Sequence, residues 1–172
     1  MAYILEKYFQ LPRSALLSRD EMPLHAEALA QWRELEKKRV GGEPIAYLVG
    51  KRGFHNIELY VAPGVLIPRP ETELLVEIGL REIKDLHVPA RILDLGTGSG
   101  AIALAITNES PQAMVTATDQ STEALEIAKT NAKQLKIADR VQFFQGSWYE
   151  ALEAAASFDV ILSNPPYIAS QD

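Results

Sequence analysis

From residue 90 onward the chain alternates short apolar runs with longer stretches whose apolar positions recur three and four residues apart. "RILDLG", "AMVTATD", "RVQFFQG" and "FDVILSN" read as strands, with "GAIALAITNES" and "STEALEIAKTNAKQLK" as the helices among them. Ser121 is the expected N-cap of the second helix, and Ala124, Ala128, Ala132 and Leu135 share its apolar face. Apolar strands interleaved with helices of this length imply a parallel sheet with right-handed crossovers. The expected class is α/β, Rossmann-like.

Upstream the pattern is different. The first fifty residues read as helical: "AYILEKYF" is short and amphipathic, and "LPRSALLSRDEMP" is a connection with a helical turn. "PLHAEALAQWRELEKKRV" is a longer helix with Ala28, Leu29, Trp32 and Leu35 on one face, stopped by Gly41-Gly42. "RGFHNIELYV" predicts a β-hairpin turning at His55-Asn56. "PGVLIPRPETE" is a proline-stiffened connector whose Pro70-Glu71-Thr72-Glu73 suits the first turn of a helix through "LLVEIGLREI". The expected organisation is a helical domain over 1–50, a hairpin and connector over 51–70, and the Rossmann-like part over 71–172.

Composition narrows the chemistry. No apolar run approaches the roughly 20 residues that span a bilayer. With no cysteine there is no disulfide, thiolate zinc site or cysteine nucleophile, which fits a cytoplasmic protein. His25, His55 and His87 share no ligand-like spacing, so no metal is expected. Residues 1–56 hold nine Lys/Arg against seven Asp/Glu, and residues 57–172 hold eight against sixteen. An acidic back half argues against broad nucleic-acid binding, and Lys37-Lys38-Arg39 reads as a solvated helix end.

Asp94-Leu95-Gly96-Thr97-Gly98-Ser99-Gly100 sits between the first strand and its helix. Glycines there allow a tight turn and a close ligand approach beside the positive end of the helix. A glycine turn needed only for packing is the simpler alternative. Asp119, however, ends the next strand, where a Rossmann-type fold places the acid that binds ribose hydroxyls. Dinucleotide loops carry the third glycine one position later, where this chain has Ala101. Asp94 ahead of the glycines also suits a cationic ligand better than a pyrophosphate. The loop resembles that of S-adenosylmethionine-dependent methyltransferases; spacing favours a methyl donor over a dinucleotide and leaves both open.

Asn164-Pro165-Pro166-Tyr167 follows the last strand, at the sheet edge where a parallel fold binds ligands. Such a loop suits alkylation of a planar amide or amino nitrogen. The Asn carbonyl and the backbone carbonyl of Pro165 can each accept one N–H of an –NH2 group. The prolines donate nothing and stiffen the loop, and the tyrosine offers a stacking face. The tetrapeptide resembles the signature of methyltransferases acting on adenine N6, on guanine N2 of RNA and on glutamine amides. Residues 42–73, "GEPIAYLVGKRGFHNIELYVAPGVLIPRPETE", separate these: they resemble the connector of the release-factor glutamine N5-methyltransferases, the HemK/PrmC family. The helical front, "ILDLGTGSGAIALA" and "SNPPYI" are similar in order and spacing.

The resemblance implies a class I methyltransferase domain that moves methyl from S-adenosylmethionine to the glutamine of the Gly-Gly-Gln loop of class-1 peptide release factors. It implies that Asp94, Gly96, Thr97, Gly98, Ser99 and Gly100 form the methionine end of the cofactor site, that Asp119 holds the ribose, and that Trp148 lies beside the adenine. Asn164, Pro165, Pro166 and Tyr167 would grip the amide, with Phe54 walling the pocket. Ser147 departs from the acid the family often carries before that tryptophan. The family's sheet has seven strands in the order 3-2-1-4-5-7-6, against four strand candidates here, and more helix at its front. The chain is therefore expected to be a piece with a truncated sheet, inactive by itself and prone to self-association. The rivals are a nucleic-acid amino methyltransferase, disfavoured by the acidic back half, and a noncatalytic cofactor-binding module. Neither a membrane nor a direct nucleic-acid substrate is expected.

Overall fold

The computed structural model describes Ser14 and residues 26–86 and 89–165. The helix expected over "AYILEKYF" lies outside them, as does "LPRSALLSRDEMP" apart from Ser14. The chain divides into two compact units, residues 1–51 and 52–172. In the first, α1 (Ala26–Val40) carries buried Leu35 and half-buried Trp32, which pack with Leu48 and Val49 of α2 (Ile45–Val49). Leu29, expected on the same face, is exposed. The basic residues Lys37, Lys38 and Arg39 occupy the last turn of α1, where the helix dipole favours cations. Gly42 then takes a φ of 94° and turns the chain.

The second unit begins with a hairpin of β1 (Lys51–Phe54) and β2 (Ile57–Tyr60), in which His55 takes a φ of 51°. The connector ends in a 3-10 turn, Pro70–Thr72, that runs into α3 (Glu73–Ile83). Proline suits this start because the first N–H of a helix has no partner inside it. β3 (Arg91–Leu95), α4 (Ala101–Glu109), β4 (Met114–Asp119), α5 (Thr122–Gln134), β5 (Val141–Gln145) and β6 (Val160–Ser163) follow. Ser121 caps α5 as expected, its hydroxyl accepting from the Ala124 N–H at 3.2 Å.

The four later strands form one parallel sheet in the order β5-β4-β3-β6. The chain builds outward from β3 to β5, then returns to the other side of β3. That reversal creates a topological switch beside β3, where the carboxyl ends of strands leave a crevice.

The core explains why "AIALAIT" lacks a polar face. Every residue of α4 from Ala101 to Thr107 is buried, so the helix is covered all round. Gly79 lets α3 approach: a Cβ there would stand 3.0 Å from Leu162 Cδ1 and 3.1 Å from Ile106 Cδ1. The hairpin is part of this core through Phe54, Ile57 and Leu59. Buried Asn131 of α5 fastens it, accepting the Tyr60 N–H at 2.7 Å and donating to the Tyr60 carbonyl at 3.0 Å and the Ser99 carbonyl at 2.9 Å.

Candidate functional site

Strand register assembles the site. Leu95 of β3 lies opposite Ser163 of β6 on one side and Thr118 of β4 on the other, and Asp119 lies opposite Gln145 of β5. The residues at and just past these ends therefore stand in a row along the carboxyl edge: Asn164, Gly96, Asp119, Gly146. Further bonds hold the row. The Ser163 hydroxyl donates to the Leu95 carbonyl at 2.9 Å, the Gly96 and Thr97 N–H groups donate to the Thr118 carbonyl at 2.9 Å each, and the Gly146 N–H donates to the Asp119 carbonyl at 3.0 Å.

A cleft of about 960 Å³ opens over this edge. Gly96, Gly98 and Asp119 line it, with Ser147 and Trp148 from the loop after β5 and Asn164 and Pro165 after β6. Asp119 is held by two backbone donors: Gly98 N–H to Oδ2 at 2.8 Å and Ser121 N–H to Oδ1 at 2.9 Å. Each carboxylate oxygen has a second lone pair. Trp148 takes a φ of 52° and is 58% exposed, an aromatic surface on the rim of the cleft.

Asp94 lies beneath the glycine loop, 1% exposed. Its Oδ2 accepts the Thr97 hydroxyl at 2.6 Å and the Ala103 N–H at 3.2 Å, while Oδ1 has no hydrogen-bond partner among the described residues. Burial pushes this carboxyl from 3.8 up to about 6; the Thr97 and Ala103 bonds pull it back, and the charge of Asp119 adds to the rise.

Of the residues the sequence singled out, Gly96, Gly98, Asp119, Trp148, Asn164 and Pro165 thus come together on one cleft. Thr97, Ser99 and Gly100 do not line it. Thr97 supports Asp94, the Ser99 carbonyl receives Asn131, and Gly100 packs α4 on α5: a Cβ there would stand 2.8 Å from Leu104 Cδ1 and 3.2 Å from Ala128 Cβ. Phe54 is a correction. It is 2% exposed inside the core, because the inward face of the hairpin packs on the helices, and Val65 and Leu66 of the connector supply that wall. Pro166 and Tyr167 lie outside the described residues. Arg69, Glu71 and Thr72 line the cleft, although the sequence placed Arg69 only in the connector and gave Glu71 and Thr72 only a helix-start role. Asn164 Nδ2 donates to Thr72 Oγ1 at 2.9 Å. The available signal was a threonine at a helix start, which says nothing of a partner 92 positions away. Among the described residues no group of three His, Cys, Asp or Glu could hold a metal, and no helix is long and apolar enough to cross a membrane.

A parallel sheet with a glycine loop after its first strand, an acid ending the second and Asn-Pro after the fourth is the Rossmann-like fold of class I methyltransferases. A crystal structure titled as an S-adenosylmethionine-dependent methyltransferase from Agrobacterium tumefaciens shares this fold, with a TM-score of 0.56 over 67% of this chain and 39% of that one at 20% identity. The family described as "Methyltransferase small domain" matches residues 71–172, and the "PrmC N-terminal domain" matches residues 1–50. The chain is 50% identical over 160 residues to the release factor glutamine methyltransferase of Bordetella pertussis, and 45% identical over 172 residues to that of Aliivibrio fischeri. These alignments cover 93% and 100% of this chain and 58% of each relative. The chain belongs to the methyltransferase small-domain family, with a match to the PrmC N-terminal domain ahead of it.

Proposed function

We propose that the protein containing this chain methylates the side-chain amide nitrogen (N5) of a glutamine in peptide chain release factors, that of the Gly-Gly-Gln motif of class-1 factors, with S-adenosylmethionine as donor. The observation that carries the reading is the pairing of β3 with β6, by which the glycine loop and Asn164 share one cleft edge. The names of the relatives support the substrate.

The cleft fits the donor. Its volume is in the range of small-molecule sites. The carboxylates of Asp94 and Asp119, one beneath the loop and one beside it, favour a ligand with a cationic end and hydroxyl groups and repel a pyrophosphate. When bound, S-adenosylmethionine supplies an electrophilic methyl group on a sulfonium sulfur. Gly96 and Gly98 leave the backbone open to its methionine part, Asp119 accepts from the ribose hydroxyls through its second lone pairs, and Trp148 flanks the adenine.

The residues after β6 prepare the nucleophile. An amide nitrogen attacks poorly because its lone pair is delocalised. The Asn164 and Pro165 carbonyls would each accept one N–H, orienting the nitrogen and favouring the positive charge it gains as the new C–N bond forms at the expense of the donor's methyl–sulfur bond, whose electron pair stays with sulfur. Its proton then leaves to solvent, so no strong base is required. The resemblance assigns Pro166 and Tyr167 to the same grip on the amide and residues 1–50 to docking the substrate.

The test is to incubate the whole protein with methyl-labelled donor and either a release factor or duplex DNA. Label on the release factor, lost when the Gly-Gly-Gln glutamine is replaced, is the expected result. Label on DNA would instead assign a nucleic-acid amino methyltransferase, and donor binding without transfer a noncatalytic module.

A further inference from the structure

We infer that Thr72 is a positioning residue for methyl transfer, clamping the Asn164 amide across the mouth of the cleft; this rests on the proposed role of Asn164. Thr72 ends the 3-10 turn that leads into α3, with helical backbone (φ −72°, ψ −18°), and its side chain caps no backbone N–H of that helix. Its hydroxyl oxygen instead accepts from Asn164 Nδ2 at 2.9 Å, and both residues are half-buried and line the cleft. The bond ties the connector to the carboxyl edge of the sheet.

Asn164 needs such a clamp. Its terminal torsion is broad, and its amide presents an acceptor at one end and donors at the other. Only the carbonyl end can accept a substrate N–H; rotation about that torsion would set donor against donor. The threonine hydroxyl fixes where the amide plane lies, and in the observed bond the donor end faces the connector. The mount is itself stiff. Pro68 and Pro70 flank Arg69, the Thr72 N–H donates to the Arg69 carbonyl at 3.1 Å, and the neighbouring Ser163 is tied to Leu95 from behind.

The experiment compares Thr72→Val, Thr72→Ser, Asn164→Ala and the double variant Thr72→Val/Asn164→Ala in the whole protein with a release-factor substrate. Thr72→Val is expected to lower kcat about tenfold to a hundredfold, somewhat less than loss of a direct contact to the reacting group. Donor affinity should stay within about twofold, Thr72→Ser should restore most of kcat, and Thr72→Val should cost nothing further once Asn164 is alanine. Thermal melting of each variant checks folding, and Thr72→Ala replaces the valine variant if the branched side chain prevents it. A Thr72→Val kcat within about twofold of wild type overturns the inference, as does a loss that adds fully to that of Asn164→Ala or one that resides in donor affinity. Wild-type protein that transfers nothing to an amide refutes the proposed function instead, so the two failures are distinct.

Discussion

Asp94 is a carboxylate with 1% of its surface exposed and one oxygen without a hydrogen-bond partner among the described residues, so its ionisation works against the fold. Its folded pKa of about 6 stands above the ordinary 3.8, chiefly through burial. Below pH about 3.8 both folded and unfolded states hold the proton, and this group costs nothing. Between that value and about 6 the folded state keeps a proton the unfolded chain has lost. Stability therefore falls as pH rises through the window, by about 3 kcal/mol in all. Asp94→Asn is expected to remove this dependence. Urea unfolding at about pH 4.5 and pH 7 checks it: wild type should lose stability relative to the variant at the higher pH, and a constant gap would reject the shift. The glycines divide in the same physical way. Gly98, at φ 56°, has open space where a Cβ would be and lines the cleft; Gly100, at φ 84°, faces Leu104 and Ala128. Gly100→Ala should cost about 2–5 kcal/mol from left-handed strain plus overpacking, visible as a lower Tm. Gly98→Ala should keep more of the stability and lose donor affinity, read by calorimetry. From the sequence the glycines look like one ligand loop. Only the tertiary neighbours of Gly100 separate packing from binding.

At the scale of elements, Asn131 links three segments that are far apart in the chain: α5, the end of the hairpin at Tyr60 and the glycine loop at Ser99. Asn131→Leu would strand the part-buried N–H and carbonyl of Tyr60 and the buried carbonyl of Ser99. The expected loss is about 3 kcal/mol, with faster hydrogen exchange at the Tyr60 amide than elsewhere in the hairpin. Unchanged exchange there would mean that the hairpin is held by its apolar face alone. The strands and helices themselves were legible in the sequence because their periods differ, and Ser121 declared its own cap. The partners of the hairpin were not. Alternation in "RGFHNIELYV" puts Phe54, Ile57 and Leu59 on one side, but nothing local says whether that side meets a cleft or a core. Thr72 was illegible for a related reason: its local sequence marks only a helix start, and its partner follows a strand formed by another part of the chain.

For the whole molecule, the motifs at strand ends identified the cleft because a parallel sheet gathers all its carboxyl ends on one edge, whatever the loops between them. Charge then bears on what approaches it. Every residue lining the cleft falls within 57–172, which holds eight Lys/Arg against sixteen Asp/Glu. On the lining itself Arg69 stands against Glu71 and Asp119. Residues 1–56, with nine basic against seven acidic groups, add too little to offset this. A nucleic-acid duplex gains its nonspecific affinity by having phosphates neutralised by Lys and Arg, and this surface has none of the required excess. Duplex DNA and structured RNA are therefore expected to bind more weakly than about 10⁻⁴ M at physiological salt, below the usual nonspecific range. Fluorescence anisotropy with labelled duplexes over a salt series measures it. Micromolar binding that weakens steeply with salt would reveal a phosphate-binding surface and return the nucleic-acid amino methyltransferase to first place.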